Sequence, residues 1–157
     1  MSDDTGLHRP VLLGPAHDVS EFDCGKPPLN DFLRRFALEN QKSGKSRTYV
    51  ATRGDRVVAF HSLAPGGVSL QNIPVILLAR LAVDITEQGK GIGAHVLLDA
   101  LRRAVEGAEV IGGRAVLVHA QDEEARAFYQ RYGFEASPTD SLHLLMLVKD
   151  LRKTFGL

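Results

Sequence analysis

The sequence predicts an α/β fold, and three observations carry that expectation. Stripes with helical period alternate with short strand-like runs along the chain. One of those runs, IPVILLARLAV at 73 to 83, is apolar almost throughout, as in a strand buried on both faces. It leads into QGKGIG, 88 to 93, which puts three glycines into six residues just before another helical stripe. At 157 residues, 44% hydrophobic and 24% charged, the chain suits one domain spanning 1–157 and is short for two.

The elements follow in order. In LNDFLRRFALENQ, residues Leu29, Phe32, Leu33, Phe36 and Ala37 recur at three and four residue spacings, predicting a helix over 29–41 with Arg34, Arg35 and Glu39 off its apolar face. KSGKS is a loop by composition. RTYVATRGDRVVAFHSLA reads as two strands around a tight turn at Arg53-Gly54-Asp55, and PGGVSLQN as a second loop. After the strand 73–83 and the glycines, AHVLLDALRRAVEGA places Val96, Leu97, Ala100, Leu101 and Ala104 on one helical face, with a stop near Gly107. RAVLVHA, 114–120, is a short buried strand. Asp122 is placed to cap EEARAFYQRYG, which ends at Gly133, a residue suited to the left-handed position past a helix. LHLLMLVKDL supplies a last strand.

Composition excludes several classes. The start MSDDTGLHRPVLLGP has no basic flank before a long apolar stretch, and the run at 73–83 is short for a membrane span and carries Arg80, so a cytoplasmic protein without membrane contact is expected. The single cysteine, Cys24, reads as a reduced, partly buried side chain, and no zinc-ligand spacing is present. The formal net charge of zero is unevenly spread. Residues 26–56 hold eight bases (Lys26, Arg34, Arg35, Lys42, Lys45, Arg47, Arg53, Arg56) against three acids. That stretch suits a phosphate-bearing partner, or simply a solvated helix face and its loop.

A loop from a buried strand into a helix offers free backbone N–H groups and the positive end of a helix dipole, a ready phosphate site. The P-loop pattern fails because Lys90 is followed by Gly91 rather than Ser or Thr. A dinucleotide fingerprint matches at Gly89, Gly91 and Ala94. It lacks the acid at the end of the next strand, and the loop begins past mid-chain.

The third pattern, Q/R-x-x-G-x-G/A, resembles the pyrophosphate arm of GNAT N-acetyltransferases at Gln88, Gly91 and Gly93. DEEARAFYQRYGF resembles that family's second signature through Ala125, Phe128, Tyr129, Gly133 and Phe134. Longer stretches, FDCGKPPLNDFLRRFALENQKSGKSRTYVA, AFHSLAPGGV and IPVILLARLAVD, are similar to the GNAT toxins of bacterial toxin–antitoxin modules.

The resemblance implies a GNAT fold, a mixed central sheet flanked by helices and splayed between its two central parallel strands. It implies acetyl-CoA as co-substrate, no metal, and an aminoacyl-tRNA whose amino group is acetylated, arresting translation. It also implies a ribbon-helix-helix antitoxin as partner, and leaves monomer and homodimer open. Acetyl-CoA would lie across Gln88, Gly89, Lys90, Gly91, Ile92, Gly93 and Ala94, along Leu81, Ala82 and Val83, and against Phe128. Asp122 stands where members carry Asn and reads both as a cofactor contact and as a plain cap. An N–H near Val83 would hold the developing oxyanion.

Tyr129 is the implied general acid for the departing thiolate, against a reading as a core aromatic, with Tyr132 as its rival. His119 is open as a base or as a structural histidine. Arg34, Arg35, Lys42, Lys45 and Arg47 are the implied tRNA contacts. Arg80, interrupting an apolar strand, must meet a carboxylate, a phosphate or solvent, which leaves structural pairing and a contact to the tRNA acceptor end both open. The alternatives are a GNAT enzyme for a small amine or a protein amino group, and a non-catalytic acetyl-CoA-binding module.

Overall fold

Our computed structural model describes residues 6–68 and 73–157. The strands are β1 (Val11–Leu12), β2 (Arg47–Arg53), β3 (Arg56–Val68), β4 (Ile73–Val83), β5 (Ala115–His119), β6 (Glu135–Ala136) and β7 (His143–Leu147). They form one seven-stranded sheet in the order β1-β2-β3-β4-β5-β7-β6. The β4–β5 pair is parallel, whereas β1–β2, β5–β7 and β6–β7 are antiparallel, so the sheet is mixed. The helices are α1 (Pro27–Asp31), α2 (Ala37–Lys42), α3 (Ile92–Ile111), α4 (Glu123–Arg131) and α5 (Val148–Phe155). The chain clusters into two units, one taking residues up to Ser62 with Leu81–Asp99, the other Leu63–Arg80 with Ala100–Leu157.

In the first unit, Phe22, Leu29, Phe32, Leu33, Ala37, Val50 and Phe60 form one buried cluster, with Phe22 edge-on to Phe60 at 5.5 Å. A second cluster joins Ala51, Ala59, Ile92 and Val96, so the first turns of α3 are packed against β2 and β3. The expected helix over 29–41 is observed as α1, a π-helical turn at Phe32–Phe36, and α2. In the π turn the amide of Ala37 bonds back to the carbonyl of Phe32, five residues earlier. That extra residue moves Ala37 under the apolar face and turns Phe36 outward, 50% exposed, against the stripe read from sequence. The turn at Arg53-Gly54-Asp55 forms, with Gly54 at φ +60°.

In the second unit, the parallel ladder runs from Val75↔Ala115 to Leu78↔Val118, while β4 continues to Val83. Val116, Val118, Leu144 and Met146 are buried on one face of β5 and β7. Three expectations change here. Of the loop PGGVSLQN, Pro65–Val68 belong to β3 and 69–72 lie outside the described residues. A Cβ added at Gly66 would stand 3.2 Å from Val75 Cγ2, so this glycine serves close packing rather than a turn. Gly107 does not stop α3, which runs to Ile111 and ends before Gly112 at φ +70°. An added Cβ at Gly107 would touch Ile76 Cδ1 at 3.4 Å, so it too marks close approach. The run LHLLMLVKDL is strand only to Leu147; Leu151 is buried on the helix α5, which ends at Gly156 with φ +68°.

Candidate active site

The glycine loop of the first unit is braced by side chains that precede it. Asp84 caps a 3-10 turn, Ile85–Glu87, by accepting from the Thr86 amide at 3.0 Å and the Thr86 hydroxyl at 2.6 Å. Its other oxygen accepts from the Asp23 amide at 2.9 Å. Burial pushes this carboxyl up, but the hydrogen bonds from Thr86 and Asp23 outweigh that and hold it below the usual range.

Glu87, only 4% exposed, receives Arg53 through both oxygens, each at 2.9 Å, with Lys90 Nζ at 3.4 Å and Arg56 at 3.8 Å. The Arg53 hydrogen bonds lead in keeping its carboxyl ionised below the usual range. Gln88 donates from Nε2 to the carbonyls of Val83 at 2.8 Å and Cys24 at 3.2 Å. Its side chain therefore ties the loop to the end of β4 and to the Cys24 carbonyl.

From there the chain turns through Gly89 and Gly91, at φ +80° and +82°, with no heavy atom within 4 Å of an added Cβ at either. Side chains would occupy that open space and strain the backbone. The amide of His95 makes the helical bond to the Gly91 carbonyl at 3.2 Å, so Ile92, Gly93 and Ala94 form the first turn of α3, where backbone amides lie ahead of the helical ladder. This is a fit for a pyrophosphate. Leu81, Ala82 and Val83 end β4 as expected, with Ala82 buried.

In the second unit, Asp122 accepts from the Ala125 amide at 2.9 Å, the capping arrangement. Tyr129 is 4% exposed, edge-on to Phe128 at 5.3 Å and to Phe134 at 5.9 Å. Burial raises its phenol above the ordinary range, keeping it a neutral O–H donor. Its rival Tyr132 is half-buried and stacks on Phe155 at 6.5 Å, a packing role. Gly133, at φ +101°, closes the helix where an added Cβ would meet Met146 Cε at 3.3 Å.

His119 is not alone: its ring stacks on His143 at 4.0 Å and 15°. The bases expected to meet tRNA, Arg34, Arg35, Lys42, Lys45 and Arg47, are exposed. Two of them also have work inside the chain, since Arg34 donates to the Phe22 carbonyl and Arg47 lies over the Tyr49 ring at 5.9 Å. Arg80 is half-buried and engaged within the chain, and burial lowers its pKa.

Sequence reasoning missed Asp84, Glu87, Arg53 and His143. An Asp-x-x-Glu pair between an apolar strand and a glycine loop was a usable signal for the first two, because acids there need partners. Nothing in sequence spacing joins Arg53 to Glu87, or His119 to His143.

The acetyltransferase (GNAT) domain model matches residues 44–136. A tRNA-acetylating toxin of Mycobacterium tuberculosis is 48% identical over 164 residues, covering 97% of this chain and 99% of that protein. The structure of a tyrosine-to-phenylalanine mutant of the toxin AtaT, bound to the C-terminus of the antitoxin AtaR, matches with TM-score 0.88 at 26% identity, covering 96% of this chain and 99% of the other. The AtaTR structure bound with AcCoA matches with TM-score 0.86 at 27% identity, covering 95% and 98%.

Proposed function

Because the chain belongs to the GNAT acetyltransferase family, we propose that it moves the acetyl group of acetyl-CoA onto the amino group of aminoacyl-tRNA. In this reading it is a cytoplasmic toxin restrained by a ribbon-helix-helix antitoxin. The observation that carries it is near full-length identity of 48% to a tRNA-acetylating toxin, in a chain whose glycine loop is formed and braced. Among the described residues no helix is long and apolar enough to cross a membrane. We read 1–157 as one domain because β3, β4 and α3 each run through both units.

In this mechanism the amides at the head of α3 hold the pyrophosphate, and the strand end Leu81–Val83 takes the pantetheine arm. An N–H near Val83 polarises the thioester carbonyl. The neutral amine nitrogen attacks that carbonyl, the C–S bond breaks with its electrons going to sulfur, Tyr129 gives sulfur a proton, and the proton the nitrogen loses passes to solvent, from which the phenol is restored. Lys42 and Lys45 supply sequence-independent contacts to tRNA phosphates.

The test is to incubate the protein with labelled acetyl-CoA and bulk charged tRNA and ask where the label goes. Label on the aminoacyl group is expected, with activity falling steeply between about 50 and 200 mM salt and a shallower slope in Lys42→Glu/Lys45→Glu. Label only on small amines or protein, with no salt slope, would replace tRNA by the small-amine reading.

A further inference from the structure

The short segment that precedes α1 is hydrogen-bonded on two sides, and one of those sides is the glycine loop. Toward the loop, the Asp23 amide donates to Asp84 Oδ1 at 2.9 Å, the Asp23 carbonyl accepts from the Ile85 amide at 2.8 Å, and the Cys24 carbonyl accepts from Gln88 Nε2 at 3.2 Å. Toward α1 and the π turn, the Phe22 carbonyl accepts from Arg34, the Cys24 amide donates to Asn30 Oδ1 at 2.9 Å, and the Gly25 amide donates to Asp23 Oδ1 at 2.8 Å. Every backbone polar group from the Phe22 carbonyl to the Gly25 amide is therefore engaged. All of these residues belong to the first unit.

Asn30 is the side chain that closes this arrangement. It is buried, 8% exposed, beside Leu29 on α1, and no step above uses it. Both ends of its amide are taken, since Oδ1 receives the Cys24 amide while Nδ2 donates to Asp23 Oδ1 at 3.0 Å. A reversed amide would set nitrogen against the Cys24 N–H and oxygen against a carboxylate, so one orientation alone serves. Hydrogen bonds from the Gly25 amide and from Asn30 hold the Asp23 carboxyl below the usual range, which keeps it an ionised acceptor. On the other side, Gln88 stands just before Gly89 and Gly91, where an added Cβ meets no heavy atom within 4 Å. The glycines have no packing on that side, so the loop takes its support from the residues that lead into it. Gln88 spends both amide hydrogens on that support, one on Val83 close by in the chain and one on distant Cys24.

We propose that Asn30 is a positioning residue for acetyl-CoA binding: it holds the Cys24 carbonyl where Gln88 meets it, and so fixes the entry to the glycine loop. This rests on the reading above that the loop holds acetyl-CoA. Asn30 acts through Cys24 and Gln88 and makes no contact with the cofactor. Without it the buried Cys24 amide has lost its acceptor, and the segment must shift to find another. A loop that is ordered before the ligand arrives binds more tightly, because its ordering is not subtracted from the binding free energy.

The experiment measures acetyl-CoA affinity by calorimetry, and amide hydrogen exchange over residues 84–94 without acetyl-CoA, in wild type, Asn30→Ala, Gln88→Leu and the double variant. Asn30→Ala should raise Kd by about five-fold and speed exchange across the loop. In the Gln88→Leu background, where the bond to Cys24 is already gone, adding Asn30→Ala should change Kd by less than about two-fold. Asp23→Ala removes the acceptor shared by Gly25 and Asn30 at an exposed position, so it carries the test if Asn30→Ala fails to fold. Its shift in Kd should have the same sign and be smaller. Unchanged affinity or unchanged loop exchange in the folded variants overturns the proposal. So does a loss that adds in full to that of Gln88→Leu, since it marks general destabilisation. Gly91→Asp separates this proposal from the reading beneath it: wild-type affinity there sinks both, whereas abolished binding there with no shift in Asn30→Ala or Asp23→Ala sinks this one alone.

Discussion

The glycine loop of the first unit and the aromatic helix of the second are built by opposite means. The loop offers backbone, and polar side chains hold it: Asp84, Glu87 and Gln88 spend their hydrogen-bonding capacity on Thr86, Asp23, Arg53, Val83 and Cys24. The helix end offers one hydroxyl, and apolar rings hold it, with Phe128 and Phe134 edge-on to Tyr129. A backbone site has no side chain to delete and fails when space or conformation is taken away. A side-chain site fails when a single atom is removed. The two regions should therefore respond to mutation in separable ways, affinity in one and turnover in the other.

The largest effect is expected from Gly91→Asp. A side chain at φ +82° is strained, and the carboxylate would stand in the pyrophosphate site we propose. Acetyl-CoA binding by calorimetry should fall below detection while the fold survives, since an added Cβ meets no heavy atom within 4 Å. Retained affinity in a folded variant would break the comparison by removing the loop from the site.

Next comes Tyr129→Phe, which removes one oxygen from a ring whose packing stays intact. Turnover should drop by about 10²-fold or more with acetyl-CoA affinity unchanged, because general acids contribute on that scale. Tyr132→Phe should leave both alone, its ring being stacked on Phe155. Exchange of the two outcomes would move the acid to Tyr132.

The smallest and most diagnostic effect belongs to Glu87→Gln. It leaves Arg53 and Lys90 without their carboxylate and loosens the turn into the loop, so KM for acetyl-CoA should rise by about ten-fold while kcat at saturation holds. The pH dependence has a definite sign. The folded-state pKa is depressed, chiefly by Arg53, so the stabilisation is complete above the unfolded value of about 4.3 and is lost as pH falls through the folded one. Wild type should lose acetyl-CoA affinity in that acid window, and the variant should lack that component. A variant whose loss appeared in kcat instead would mean that loop and turnover are not separable.

Much of this was legible in the chain. The run 73–83 is β4 residue for residue, Asp122 caps α4 as its position before EEARAFYQRYG implied, and Gly89, Gly91 and Gly133 adopt the left-handed backbone that glycine alone takes easily. These are local facts, decided by side-chain size, hydrogen-bonding reach over two or three residues, and the period of apolar positions. The misreadings share a cause. Gly66 and Gly107 read as punctuation but serve contacts with Val75 and Ile76, and a glycine that ends an element looks the same in sequence as one that lets two elements approach. Phe36 left its stripe because a π turn adds a residue that no spacing rule anticipates.

By itself, then, the sequence determined the alternation of helices and strands, the glycine-rich turn between β4 and α3, and the capped aromatic helix that carries Tyr129, since each depends on residues close along the chain. Only the tertiary structure decided which distant groups meet. It joined Arg53 to Glu87, brought Gln88 to Cys24, and set His119 on His143. The physical reason is that contacts between segments far apart in sequence are set by how the strands pair and the loops pack; for His119 and His143 this is strand register, where a shift of one residue would have turned one ring to the other face.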